Sequence, residues 1–290
     1  MIADNQRPLH TIGYHVSRIF HPRKSLCENI EEYVKNIGST SSIQVFVAGP
    51  RECKLRLTDD DAIKLKQCLS YLNLYAVAHG TYLDHPWNTG NIWFINKEIE
   101  ICAKAGIKGF LIHMSNNPIS QMIPVIEKIN NPDVTLYLET PAMKPTNSVY
   151  ADPNNLIKLY EAIRQYNTAI CIDTAHVYSC GIGLSSYNEM KTYMDIILSV
   201  IPPDRLLIHL NDNHNPCGGG KDKHAMLLKG VMWGDYANNI KASGLWYLFE
   251  LIETHKIRAI LELDTKEDLQ YDFSIIHGYE NSSRDLSNKH

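Results

Sequence analysis

Nine histidine, aspartate and glutamate residues stand where short apolar runs end or in one glycine-rich loop. They are His79 in AVAHG, His113 in LIHM, Glu139 in YLET, Asp173 and His176 in CIDTAH, His209 in IHLND, Glu262 in LELD, and Asp222 and His224 in GGGKDKHA. Imidazole nitrogen and carboxylate oxygen suit zinc or manganese, and no pair of cysteines marks a structural zinc site. A single histidine closing a strand has an ordinary explanation, since it can hydrogen-bond a neighbour. Nine such groups do not. Four carboxylates and five imidazoles gathered without cations would carry heavy desolvation and like-charge costs. Nine ligands give about three each to three ions and leave positions open for water and substrate, as catalytic sites do. A carboxylate such as Glu139 can bridge two ions. Close divalent ions favour in-line displacement at phosphorus.

The elements that must position these residues alternate along the chain. β-rich runs recur at Thr11–Ser17, Ser42–Ala48, Leu74–Gly80, Ile107–Met114, Val134–Thr140, Thr168–His176, Arg205–Asp212 and Arg258–Asp264. Helical patterns fill the gaps. Ser25 with Glu28 makes a capping box for a helix to about Gly38. Thr58 opens a helix with Ala62, Leu65, Cys68, Leu69 and Leu72 on one face, and Ile92, Ile95, Ile99 and Cys102 repeat at helical spacing until Gly106. Continuous apolar strands imply a parallel sheet buried on both faces. Eight strand and helix units without a linker predict an α/β fold, a single-domain (β/α)₈ TIM barrel spanning residues 1–290. Active sites in such barrels form at the C-terminal ends of the strands, which is where the nine residues fall. After about residue 265 the sequence turns polar, and a short closing segment with a frayed end is expected.

Composition sets limits on the rest. The formal charge of −4 argues at first against a polyanionic partner, but three bound divalent ions would reverse its sign and concentrate positive field at the site. No apolar run approaches the roughly 20 residues that span a bilayer, so no membrane role is expected. The opening MIADNQRPLHTIG lacks an apolar signal core, and the seven cysteines show no paired spacing. A reducing, intracellular compartment is the expectation.

Taken together, AHGTYLDHPW, YLETP, CIDTAH, IHLNDNHNPCGGGKDKHA and ILEL resemble the endonuclease IV family of apurinic/apyrimidinic (AP) endonucleases, above all its branch from African swine fever virus and related large DNA viruses. The resemblance runs from GYHVS in the first strand to the last strand. It implies a three-zinc site, with manganese as an alternative at one position, that cuts double-stranded DNA 5′ to an abasic nucleotide and leaves a 3′ hydroxyl. By match to the family motifs, His79, His113 and Glu139 would hold the first zinc; Glu139, Asp173, His209 and Glu262 the second; His176, Asp222 and His224 the third. Glu139 and Glu262 are the expected catalytic carboxylates. His15 matches a family histidine near the site and receives no metal.

The resemblance further implies DNA contacts from Arg51 in VAGPR and from Tyr82 with Leu83 after His79. Arg51 can fill the gap opposite a missing base or meet phosphate, and Tyr82 can stack on an exposed base. Equally, Tyr82 can be a packed rim aromatic and Arg51 a solvated charge. Lys221 and Lys223 flank a ligand and can contact phosphate or face water. The VAGPR loop departs from the bacterial pattern, and His113 is followed by MSN rather than a proline-glycine pair.

Two other readings fit part of the sequence. A sugar isomerase or epimerase of the xylose-isomerase-like barrels would use Glu139, Asp173, His209 and Glu262, but leaves the other five ligands without a purpose. A zinc-dependent module that recognises damage without cutting would need a degraded ligand set. A monomer is the expected state.

Overall fold

The computed structural model describes residues 9–17, 24–82, 86–87 and 92–287. Eight parallel strands close into a barrel: β1 (Ile12–His15), β2 (Ser42–Val45), β3 (Tyr75–His79), β4 (Gly109–His113), β5 (Thr135–Glu139), β6 (Thr168–Asp173), β7 (Leu206–His209) and, after a two-stranded hairpin, β10 (Arg258–Leu261), which pairs with β1 and β7. The hairpin joins β8 (Asp212–Asn213) to β9 (His224–Ala225) in antiparallel register. It brackets the glycine-rich loop, where Gly218 and Gly220 adopt positive φ of 76° and 66°.

Helices α1 (Leu26–Asn36), α2 (Asp59–Tyr71), α3 (Ile92–Lys104), α4 (Ile119–Ile129) and α5 (Pro153–Ile163) cross between successive strands, followed by α6 (Thr174–Ser179), α7 (Tyr187–Leu198) and α8 (Gly244–His255). The capping box of Ser25 and Glu28 opens α1 as expected, and Thr58 makes a second one with Asp61. α3 ends just before Gly106, at φ 70°.

Two departures from the sequence reading have clear causes. The sixth run stops at Asp173 rather than His176, because the Asp173 carboxylate accepts the His176 N–H at 2.8 Å and caps α6. His176 therefore projects from a helical first turn. The tail after about 265 is not a short closing segment, and the frayed end expected at its close falls outside the described residues. The tail forms α9 (Lys266–Ser287), which buries Leu269, Phe273, Ile276 and Tyr279 on one stripe. That stripe repeats at helical spacing inside a sequence of polar average composition, which concealed it.

The barrel interior explains why the strand ends carry chemistry. Val77, Leu111, Tyr137, Cys171, Leu207 and Ile260 form a small buried cluster separate from the larger core that includes the helices. His79, His113, Glu139, Asp173, His209 and Glu262 each lie two residues further along the chain. Side chains alternate across a strand, so residues two apart share a face. The ligand layer therefore sits directly above the apolar plug of the barrel.

Candidate metal centre

Three groups of ligand atoms form at this layer, each with all its atoms within 4.8 Å of one another: His79, His113 and Glu139; Glu139, Asp173, His209 and Glu262; and Asp173, His176 and His224. Glu139 joins the first two. Its Oε2 lies 3.0 Å from His113 Nε2 and 3.5 Å from His79 Nε2, while Oε1 lies 3.1 Å from His209 Nδ1. Asp222 reaches across from the hairpin loop, with Oδ2 3.3 Å from His176 Nε2 and Oδ1 3.0 Å from His224 Nε2. The third group thus gains Asp173 in addition to Asp222, through Oδ2 at 3.5 Å from His224 Nε2. All nine expected residues meet on one rim.

The groups fit divalent cations. Ligands about 2.1 Å from a tetrahedral zinc stand about 3.4 Å from one another, and the ligand-atom pairs here lie 3.0 to 4.0 Å apart. Glu139 Oε2 and His176 Nε2 are buried and make no hydrogen bond among the described residues, an arrangement that is costly unless something else satisfies them. The electrostatics agree. Burial alone would raise the Glu139 carboxyl, but the charges of His113 and His209 outweigh it and hold it well below its ordinary value. Glu262 and Asp222 are likewise held low against burial, by His209 and by His176 with His224 respectively. Burial would neutralise His224, yet Asp173, Asp222 and Glu262 lift it to about 9. His176 and His209 are raised well above their ordinary value in the same way, against burial.

In four of the five histidines the other ring nitrogen is anchored. His79, His176 and His224 each turn Nδ1 to a backbone carbonyl, of Gly80 at 2.7 Å, Thr140 at 2.8 Å and Glu262 at 3.3 Å, which leaves Nε2 facing the cluster. His209 is reversed. It turns Nδ1 inward and Nε2 outward to Gln44 Oε1 at 2.8 Å. Gln44 and Asn211 were not singled out in the sequence. Asn211 donates to Asp173 Oδ2 at 2.8 Å and Glu262 Oε2 at 3.2 Å. A polar amide within the buried strand SIQV was the available signal for Gln44.

Asp212 anchors the hairpin loop. Its carboxylate accepts backbone N–H groups from Asn213, Gly230, Met232 and Trp233 at 2.7 to 3.3 Å. A Cβ at Gly230 would meet Asp212 Oδ1 at 2.3 Å, so the close approach requires glycine.

Of the expected DNA-facing residues, Arg51, Tyr82, Lys221 and Lys223 lie on loops at the same end of the barrel. Tyr82 is 44% exposed although its ring sits 5.2 Å from that of His79, so one face is packed and another is open. Its N–H donates to Pro50 O at 2.9 Å and ties the third-strand loop to the second-strand loop that carries exposed Arg51. Lys221 and Lys223 are exposed on the hairpin loop. Leu83 lies outside the described residues. Where the MSN sequence follows His113, Trp87 Nε1 donates to His113 O at 2.8 Å and fixes the local turn. His15 is partly buried beside Gln44, near enough to Glu262, His79 and His209 to feel their charges, and desolvation pushes its imidazole down to about 4.

Comparison with known proteins gives the family and the fold. Residues 32–271 match the family described as xylose isomerase-like TIM barrel. A probable AP endonuclease of African swine fever virus (strain Badajoz 1971 Vero-adapted) is 38% identical over 79% of this chain and 81% of its own length. The chain belongs to the endonuclease IV family of AP endonucleases. A probable endonuclease 4 of Thermotoga maritima shares 26% identity with this endonuclease IV family member over 87% of this chain and 93% of its own. The crystal structure of AsfvAP:AG superposes with a TM-score of 0.86 at 33% identity, covering 92% of this chain and 98% of that one. A D-tagatose 3-epimerase-like protein shares the fold alone, with a TM-score of 0.65 at 14% identity over 95% and 99% of the two chains.

Proposed function

We propose that this endonuclease IV family member is a zinc-dependent DNA repair enzyme that hydrolyses the phosphodiester 5′ to an abasic nucleotide in duplex DNA and leaves a 3′ hydroxyl. The observation that carries the reading is the convergence of nine ligands into three groups that share Glu139 and Asp173. An isomerase needs only the group of Glu139, Asp173, His209 and Glu262. The two flanking groups have no role in that chemistry, and they extend the site to a span suited to the oxygens of a phosphodiester.

His79, His113 and Glu139 would hold one ion; Glu139, Asp173, His209 and Glu262 a second; His176, Asp222 and His224 a third, with Asp173 beside it. Bound ions of this kind supply Lewis-acid activation of a phosphodiester and of water at neutral pH. The chain's own residues orient and charge the site. Glu139 and Glu262 stay ionised across the neutral range because the neighbouring imidazoles favour their charged forms. Arg51, Lys221 and Lys223 present cations on the rim for phosphates beside the cut. Tyr82, with Leu83 after it, presents an aromatic face to bases next to the abasic gap. Burial, with Glu262 and Glu139, pushes the Tyr82 phenol up, so this residue acts as a neutral stacking surface.

The reading distinguishes itself from sugar chemistry by its salt dependence. With an inactive Glu139→Gln variant and an abasic duplex, affinity should fall about a thousandfold between about 50 and 200 mM salt if about six phosphates are contacted. A flat salt response, or displacement of the duplex by millimolar monosaccharide, would overturn it.

A further inference from the structure

We propose that Gln44 is a positioning residue of the metal centre, whose side-chain amide holds the ring of His209 and one oxygen of Glu262 so that their remaining lone pairs face the group formed with Glu139 and Asp173. The inference rests on the reading that this group binds a divalent ion.

Gln44 is fully buried on β2, across the barrel from β7. Its Oε1 accepts from His209 Nε2 at 2.8 Å, and its Nε2 donates to Glu262 Oε1 at 2.6 Å. The second amide hydrogen faces His15 Nδ1 at 3.3 Å. The orientation of the amide follows from chemistry, because the reversed form would set an amide oxygen against the Glu262 carboxylate and an N–H against the His209 N–H. Every donor and acceptor of the side chain is therefore used.

Two consequences follow. With an ion bound, His209 would keep its proton on Nε2 and offer Nδ1, which lies 3.1 Å from Glu139 Oε1 and 3.0 Å from Glu262 Oε2. Glu262 Oε1 is held by Gln44, while Oε2, which also accepts from Asn211 Nδ2 at 3.2 Å, faces the cluster. His79, His176 and His224 obtain the same control from backbone carbonyls, which no substitution of a partner side chain removes. His209 obtains it from a side chain, so a change at residue 44 is felt at one group of ligands. Outer partners of metal-binding histidines set the tautomer and ring orientation, and their loss typically weakens affinity about 10- to 100-fold.

The test uses the zinc-loaded full chain and two substitutions. Gln44→Met keeps the volume and removes the hydrogen bonds; Gln44→Glu keeps Oε1 and replaces the donor with an oxygen facing Glu262. Competition with a graded chelator should show one zinc per chain bound about 10- to 100-fold more weakly than in the parent, with the others unchanged. The ¹⁵N spectrum of labelled histidine should lose the Nε2–H form of His209 in Gln44→Met. kcat on an abasic duplex should fall while KM stays near the parental value. If Gln44→Met fails to fold, Gln44→Glu carries the comparison. Parental zinc affinity and an unchanged His209 signal in the folded variants would overturn the inference. A parent that binds zinc but leaves abasic DNA intact would overturn the endonuclease reading, while the affinity comparison still decides the role of Gln44. A parent without zinc affinity would overturn both.

Discussion

Asp173 Oδ2 lies 3.5 Å from His224 Nε2 and 3.7 Å from His209 Nδ1, so one carboxylate faces both the central group and the group at the hairpin loop. Its other oxygen caps α6 through the His176 N–H. Asp173 therefore links two ligand groups and also fixes the helix that presents His176.

Different losses are expected at Asp173 and Asp222. Asp173→Asn should weaken binding of two ions per chain and lower cleavage by about two orders of magnitude or more, since it removes charge from both groups. Asp222 is half exposed and, among the described residues, pairs with His176 and His224 of the third group, so Asp222→Ala should release about one ion with a smaller loss of rate. Elemental analysis after brief dialysis against chelator checks both. Equal metal loss in the two variants would show that Asp173 serves a single group.

Tyr82→Ala should reduce selection of abasic over intact DNA about tenfold or more while changing the rate at saturation less. Its exposed face is available for stacking, and its packed face is shared with His79, Phe46 and His113. Parallel measurements of affinity for abasic and intact duplexes decide the matter. Equal losses on both would leave Tyr82 a packing residue of the rim.

Stability should depend on the buried acids beneath the hairpin loop. Burial pushes the Asp272 carboxyl well above its ordinary value, and Asp212 and Asp268 add to the effect. Asp212 is pushed up to about 6, again by burial, despite its four N–H partners. The folded chain thus keeps protons that the unfolded chain has released. Stability must fall as pH rises from the ordinary carboxylate range near about 4 through the folded values, and the cost is fully present above them. Asp272→Asn removes that charge and can still accept the Leu227 N–H. Its unfolding midpoint should exceed the parent's by about a few degrees at about pH 8 and converge with it near about pH 4. A lower midpoint at alkaline pH would contradict the assignment.

The barrel and its ligands were readable because each signal is local. An apolar strand that ends in histidine or a carboxylate places that residue one layer above the interior plug, as with Leu207 and His209 or Tyr137 and Glu139. Gln44 was not readable in this way. Its partner His209 is 165 residues distant, and only closure of the barrel brings the two together. Asn211 and Asp212 sit within a quoted motif, but their roles depend on partners in other loops. The final helix was hidden by its polar face, although Leu269, Phe273 and Ile276 mark its buried stripe.

The central claim is tested most directly by cleavage of a duplex that carries one abasic analogue, with end-group mapping of the products. Zinc-loaded protein should give a single incision 5′ to the abasic nucleotide and a 3′ hydroxyl that a polymerase can extend. Chelator should stop the reaction, and Glu139→Gln should keep no more than about a few per cent of the rate while remaining folded, because it removes the charge shared by two ligand groups. An intact duplex, incision on the 3′ side, or full activity of Glu139→Gln would contradict the account.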